Sequence, residues 1–242
     1  MKSWIKSSNM KTTIIIPTYN EKANLAKLVK AIFSLEIKNL NIIIVDDNSP
    51  DGTGKLADQL TFNYPLAVIH RPAKLGLGTA YVVGFKQAIN QGAAIVIEMD
   101  ADFSHNPKDL PLLILEINNG YDVAIGSRRI KGGSVKGWNW WRNLESKWAM
   151  NFARFILNLR TQDITAGFRA YNTKVFDKIN LDKITSNGYA WQEEMIYLCE
   201  KYNFKIKEIP IEFIDRQFGQ SKLGLREIIE FFITIFRLKF KH

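Results

Sequence analysis

Five short apolar runs, most of them rich in β-branched residues, punctuate the first half of the chain, and each stops at a polar cluster. They are Thr12–Ile16, Asn41–Val45, Leu66–Ile69, Ala94–Met99 and Asp122–Ile125. Runs of this length and composition predict buried strands. Between them apolar residues recur at helical spacing, as in Leu25, Leu28, Val29, Ile32 and Phe33. Further helices are predicted from about Gly54 to Leu60, from Ala80 to Asn90 and from Pro107 to Ile117. Strands alternating with helices predict an α/β fold with a mostly parallel, doubly wound sheet. The polar clusters then gather at the carboxyl edge of that sheet, where such folds bind ligands.

The cluster after the fourth run carries the most chemistry. Asp100 and Asp102, spaced i, i+2 at a strand end, can share one hard cation, and such a cation can hold a nucleotide diphosphate. Asp47 ends the second run in the same way. Three carboxylates at one edge repel unless a cation or protons intervene. The whole chain carries a net charge of +9, which favours anionic partners. After the first run, Tyr19 offers a planar face to a base, and Glu21 an acceptor for base or ribose donors. Lys74-x-Gly-x-Gly-Thr79 lacks the residues of a P-loop and the third glycine of a dinucleotide fingerprint, and reads as a tight helix entry.

The second half is less regular. Gly126 to Gly137 is basic and glycine-rich, which predicts a mobile loop. A helical-looking stretch bearing Trp138, Trp140, Trp141 and Trp148 and ending near Leu159 follows, then a polar loop, Asp163 to Arg169, and a strand-like run. A helix from Gly188 to about Tyr202 and a strand from Lys205 to Ile211 are predicted next. Arg128, Arg129, Arg142, Arg169, Arg216 and Lys222 lie in or beside loops, where an arginine fork can grip phosphate. The last helix, Leu225 to Lys241, carries one narrow polar stripe, Arg226, Glu230, Thr234, Arg237 and Lys241. The wide apolar remainder suits a membrane interface or a partner helix as well as a core. No run reaches the roughly 18 apolar residues of a membrane span, and no signal-peptide core precedes the first strand. The single cysteine, Cys199, excludes an internal disulfide framework and fits a reducing compartment. The organisation predicted is a flexible leader (1–11), one domain (12–224, with a regular first half at 12–125 and a less regular second half at 126–224) and an amphipathic C-terminal helix (225–242).

Taken together, these motifs resemble a known family. Pro17-Thr-Tyr-Asn-Glu21, Asp46-Asp-Asn-Ser-Pro-Asp-Gly-Thr53, Gly76-Leu-Gly-Thr-Ala-Tyr81, Met99-Asp-Ala-Asp102 with Ser104-His105, and Gly126-Ser-Arg128 are similar to those of the dolichyl-phosphate mannosyltransferases (polyprenol monophosphomannose synthases). These are family-2 glycosyltransferases of the GT-A, Rossmann-like type. The likeness continues through Asp163-x-Thr165-x-Gly-Phe-Arg169, Gly188-Tyr189-x-x-Gln192-x-Glu194 and Arg216-x-x-Gly219-x-Ser-Lys222. It implies inverting transfer of mannose from GDP-mannose to a polyprenyl (dolichyl-type) phosphate, with Mg²⁺ or Mn²⁺. By position it implies that Pro17, Tyr19, Glu21, Val45 and Asp47 hold the nucleoside, and that Asp100 and Ala101 contact the nucleotide. Asp102 is the implied metal ligand and, with Arg128, a catalytic residue; Asp100 and Ser104 are further candidate ligands, some relatives having Gln at the Ser104 position. Arg216 and Lys222 are assigned to the donor phosphates, and Arg128, Arg142 and Arg169 to the acceptor phosphate. A peripheral enzyme on the cytoplasmic face of a membrane is implied, held by its Trp segment, its last helix or a membrane-anchored partner. The rival readings are a UDP-glucose or UDP-GlcNAc transferase of the same architecture, and a non-catalytic nucleotide- or nucleic-acid-binding module. No nucleic-acid partner is expected, because the strand-end carboxylates repel a polyanion.

Overall fold

β-Branched side chains pack well on both faces of a pleated strand, and the apolar runs use that property on both sides of one sheet. The computed structural model describes residues 10–184, 186, 188, 190–215 and 225–241. Most of the expected leader, and the expected phosphate-binding pair Arg216 and Lys222, lie outside the described residues. The first half runs β1 (Thr12–Thr18), α1 (Lys22–Phe33), β2 (Leu40–Asp46), α2 (Thr53–Leu60), β3 (Leu66–His70), α3 (Leu77–Asn90), β4 (Ile95–Glu98), α4 (Leu110–Asn118) and β5 (Val123–Ser127). The second half runs β6 (Ser134–Lys136), α5 (Trp140–Leu157), β7 (Arg169–Asn172), α6 (Ala190–Lys201), β8 (Ile206–Pro210), β9 (Glu212–Ile214) and α7 (Leu225–Lys241).

Seven strands form one sheet in the order β3-β2-β1-β4-β7-β5-β8, and β6 pairs with β9 in a small second sheet. Every pairing in the large sheet is parallel except those of β7, which runs antiparallel between β4 and β5. The mostly parallel, doubly wound expectation therefore holds, with one reversed strand in the middle.

Alternate residues of each strand feed two cores. Ile15, Val45, Val96 and Ile125 face a core built with Phe85 of α3, Met150 of α5, Met195 of α6 and Leu238 of α7. Ile14, Ile16, Ile44 and Ile97 face a second core with Leu28 of α1, Ala57 of α2 and Leu113 of α4. The stretch from Gly126 to Gly137 is not the open loop expected of a Gly-rich basic run. It completes β5 and forms β6, and it folds so tightly that a Cβ on Gly133 would meet the Ser127 carbonyl at 2.5 Å.

The last helix also departs from a simple stripe. Thr234 is buried, and Arg237 turns inward to reach Ser186 Oγ at 2.5 Å and Glu194 Oε2 at 3.5 Å. Ile235 and Leu238 enter the core, while Ile233, Phe236 and Phe240 stay exposed. An available carboxylate partner thus outweighs hydration for Arg237. Among the described residues, no helix is long and apolar enough to cross a membrane. Cys199 is a free, buried thiol.

Candidate active site

From β1 the sheet grows outward to β2 and β3 on one side and to β4 on the other. The carboxyl ends of β1 and β4 therefore border a crevice at a topological switch point. Asp100, Ala101 and Asp102 follow β4 directly. The Asp102 carboxylate accepts the Ser104 backbone N–H at 3.0 Å, and Phe103 between them sits in the left-handed region at φ 61°. Such strain in a bulky residue persists only where its surroundings impose it. The Asp100 side chain is 36% exposed. The Tyr81 hydroxyl donates to its Oδ1 at 3.4 Å, and the His105 Nδ1 lies 4.0 Å from its Oδ2. His105 is buried, stacked on Phe168 at 5.0 Å. Burial lowers its pKa to about 4, overriding the Asp102 charge that would raise it, and Arg128 reinforces the fall.

The donor set here fits Mg²⁺ or Mn²⁺. Asp100 and Asp102 shortly precede the buried Ser104, whose hydroxyl has no hydrogen-bond partner. Hard cations take such oxygen ligands, and Mg²⁺ usually combines one or two carboxylates with substrate phosphates. Among the described residues no group of three or more His, Cys, Asp or Glu gathers.

On the β1 and β2 side, Pro17 and Tyr19 are partly exposed, and Lys74 lies 4.3 Å above the Tyr19 ring. The Glu21 carboxylate accepts the Asn24 amide at 2.9 Å. Val45 and Ala101 are buried and present no side chain to solvent. Asp47 corrects one sequence argument. It is buried and paired with Arg71, so it needs no metal to balance its charge. Arg71 also donates to Thr79 Oγ1 at 2.6 Å and to the Gly76 carbonyl at 3.0 Å, tying the end of β2 to the start of α3. Sequence reasoning missed Arg71, although its place just after β3 is the signal used for the aspartates.

The arginines divide. Arg128 makes a fork to Asp163, with Nε and Nη2 at 2.8 and 2.7 Å, and donates to Thr165 Oγ1 at 2.8 Å. Burial works to raise the Asp163 carboxyl, but the charge and hydrogen bonds of Arg128 hold it below the usual carboxylate range. Arg128 nonetheless lies 6.0 Å from the Trp138 ring, with Arg129 at 5.9 Å and Arg142 at 4.4 Å. Three guanidinium groups thus surround one indole at the entry to α5. Arg129 also reaches Asn143 and Ser146 on α5, at 2.5 and 2.9 Å. Arg142 pairs with Asp215 at 2.8 Å. Arg169 is not part of this group, against expectation. It is 0% exposed and donates to the Gln192 and Ile164 carbonyls, both at 2.8 Å. Its place opposite Glu98 in the β4–β7 ladder gives it a buried counter-charge, which explains why the core tolerates it.

Residues 13–180 match the family described as Glycosyl transferase family 2. The chain belongs to glycosyl transferase family 2. Within and around that family it is 42% identical, over 222 residues, to the polyprenol monophosphomannose synthase of Mycolicibacterium smegmatis, spanning 91% of this chain and 83% of that one. It is 39% identical, over 216 residues, to the undecaprenyl-phosphate mannosyltransferase of Micrococcus luteus, spanning 89% and 88%. Its fold superposes on the glucosyl-3-phosphoglycerate synthase of Mycobacterium tuberculosis, solved with Mg²⁺ and UDP, with a TM-score of 0.71 at 15% identity, covering 98% of this chain and 83% of that one. The GT-A-like architecture of the family is therefore the architecture seen here.

Proposed function

We propose that this family-2 glycosyltransferase moves a mannosyl group from GDP-mannose to a polyprenyl phosphate, with inversion at the anomeric carbon, at the cytoplasmic face of a membrane. What most supports the reading is one helix. α5 carries Arg142 of the Trp138 cluster at its start and then the exposed Trp141, Leu144, Trp148 and Phe155 along one face. A phosphate grip and an apolar face on one element suit a substrate whose charged head continues into a hydrocarbon tail. The names of the two mannosyl-transferring relatives agree with it.

In this reading Tyr19 and Glu21 meet the base and ribose, with Lys74 and Pro17 beside them. Asp47 acts through Arg71, holding the nucleoside wall in place. Asp102 holds the divalent ion, with Asp100 and Ser104 adjoining. When bound, that ion supplies positive charge against the diphosphate as it leaves. Arg216 and Lys222 are assigned to the same diphosphate. Arg128, Arg129 and Arg142 receive the acceptor phosphate, Arg129 replacing Arg169 in the original set. A phosphate monoester has a second pKa of about 6, so at neutral pH its oxygen attacks the anomeric carbon without surrendering a proton. The bond from that carbon to the β-phosphate oxygen breaks, and GDP departs. The residues therefore orient and neutralise, and none is needed as a strong base. Contact with the membrane is assigned to the exposed face of α5 and to Ile233, Phe236 and Phe240 of α7, beside the exposed Lys239.

The test is incubation of the purified chain with labelled GDP-mannose, Mg²⁺ and a polyprenyl phosphate. Formation of a lipid-linked β-mannose is expected, abolished by Asp102→Ala. No lipid-linked product from GDP-mannose, with product from UDP-glucose in its place, would overturn the donor assignment.

A further inference from the structure

Two acidic side chains sit where local preference disfavours them. Glu208 lies inside the edge strand β8, beside Ile125 of β5 in the parallel register, although glutamate is depleted in strands. Glu200 lies in the last turn of α6, where the helix dipole opposes a negative charge. Both reach the same stretch of chain, the loop between α5 and β7. Glu200 accepts the Arg160 N–H at 2.8 Å, the Thr161 N–H at 2.8 Å and the Thr161 hydroxyl at 2.7 Å. Glu208 accepts the Gln162 N–H with Oε2 and the Asp163 N–H with Oε1, both at 2.9 Å. Consecutive backbone amides, from residue 160 to residue 163, are thus held by two carboxylates from two other elements.

This bracket ends at the residue that holds Arg128. Leu159 and Ile164 are buried, so apolar packing anchors the loop on either side, whereas Arg160 and Gln162 between them are exposed. The Asp163 N–H faces Glu208, and its carboxylate accepts the Arg128 backbone N–H at 2.8 Å as well as the guanidinium fork. A line of charge-assisted hydrogen bonds therefore runs from β8 through Asp163 to the residue that follows β5. Asp163 is 0% exposed, so its N–H finds no water in place of Glu208. The two carboxylates that meet on this residue repel each other, and the charges of Arg128 and Arg129 offset that. An amide in place of the Glu208 carboxylate would turn a donor against one of the two backbone N–H groups it holds.

We infer that Glu208 and Glu200 are positioning residues for acceptor use: by clamping residues 160–163 they aim Asp163, and Asp163 aims the Arg128 guanidinium into the cluster about Trp138. Their hydrogen bonds go to the loop and not to the arginines, so they act through Asp163. The inference rests on the reading that Arg128 receives the acceptor phosphate. It extends the determinants of acceptor use to α6 and β8, elements that carry none of the phosphate-binding arginines.

The experiment measures KM for a polyprenyl phosphate and for GDP-mannose, with Mg²⁺, in Glu208→Gln, Glu200→Gln, Asp163→Asn and the Glu208→Gln, Asp163→Asn double variant, each well below its melting temperature. Glu208→Gln is expected to raise the acceptor KM about fivefold or more, through a lost hydrogen bond to a charged group, and to leave the GDP-mannose KM within about twofold. Glu200→Gln, at the outer half of the loop, should raise the acceptor KM by about threefold. Because Glu208 acts through Asp163, adding Glu208→Gln to Asp163→Asn should change the acceptor KM by less than about twofold. A merely structural role lowers the active fraction, and with it kcat, without this split between the two KM values. The Arg128 Nε–H, assigned in a ¹⁵N spectrum by its loss in Arg128→Lys, gives a reading that needs no turnover. Its exchange with water should be about tenfold faster in Glu208→Gln than in the wild type. An unchanged acceptor KM, equal rises in both KM values, or additive losses in the double variant overturn the inference. Should Glu208→Gln not fold, Glu200→Gln decides by the same split. A wild-type chain that makes no lipid-linked mannose overturns the reaction proposed above, and the Arg128 resonance then decides the inference, which an unchanged exchange rate overturns.

Discussion

At the scale of single residues, the decisive question is which charges are paired inside the protein. The Arg128–Asp163 pair has side chains only 8% and 0% exposed. Removing one partner of a buried pair leaves the other charged and unsolvated, at a cost of about 3–5 kcal/mol. Asp163→Ala should therefore lower the urea-denaturation free energy by about 3 kcal/mol, and a loss under about 1 kcal/mol would contradict the pairing described. It should also loosen Arg128 and so weaken acceptor use more than GDP binding. Glu193 gives a pH signature. Burial raises its carboxyl from 4.5 to about 8. Between those values the folded chain holds a proton that the unfolded chain has released, so stability falls as pH rises. The contribution is fully present below about pH 4.5 and is lost through about pH 8. Glu193→Gln should flatten that slope and melt above the wild type at pH 9. A melting profile unchanged by the substitution would show that Glu193 is not held neutral.

At the scale of elements, close approach of helix to sheet sets what the sequence can tolerate. Gly84 lies on α3 over β1, and a Cβ there would sit 2.4 Å from Ile15 Cγ2. Alanine improves helix propensity by about 1 kcal/mol, but overpacking a core costs about 1–3 kcal/mol. Gly84→Ala should thus be destabilising by chemical denaturation, whereas the propensity argument alone predicts the reverse. β7 shows the same dominance of packing over local pattern. Its four residues read as a strand in sequence, but their antiparallel place between β4 and β5 follows from Arg169 meeting Glu98 across the ladder and from Tyr171 filling the core near Phe85. Nothing local to residues 169–172 encodes either partner.

At the scale of the whole molecule, net charge and two exposed helix faces act together. α5 and α7 pack against each other through Phe152 and Phe232, with ring centroids 5.5 Å apart, and leave Phe155 at 85% and Phe240 at 81% exposure. With a chain charge of +9, binding to phosphatidylglycerol vesicles should be measurable by flotation and should weaken with added salt. A Trp141→Gln, Trp148→Gln, Phe240→Gln variant should stay monodisperse and lose vesicle binding, while keeping transfer to a short, water-soluble acceptor. Retained flotation in that variant would move the membrane contact elsewhere. How much of this was legible in the sequence follows from the range of each interaction. Strand runs, helix spacing and the polar stop of each strand are local, so Thr12–Ile16 and Asn41–Val45 could be read directly, and with them the sheet edge carrying Asp100 and Asp102. Which cation meets which carboxylate is not local. Asp47 finds Arg71 24 residues away and Arg128 finds Asp163 35 residues away. Tertiary structure alone turned Arg169 into a core residue and gathered Arg128, Arg129 and Arg142 about Trp138. The sequence by itself determined where the chemistry gathers, because a parallel sheet must put its strand ends together. Only the tertiary structure decided which side chains remain for a ligand, because a buried charge or amide takes whatever partner the packing brings within reach.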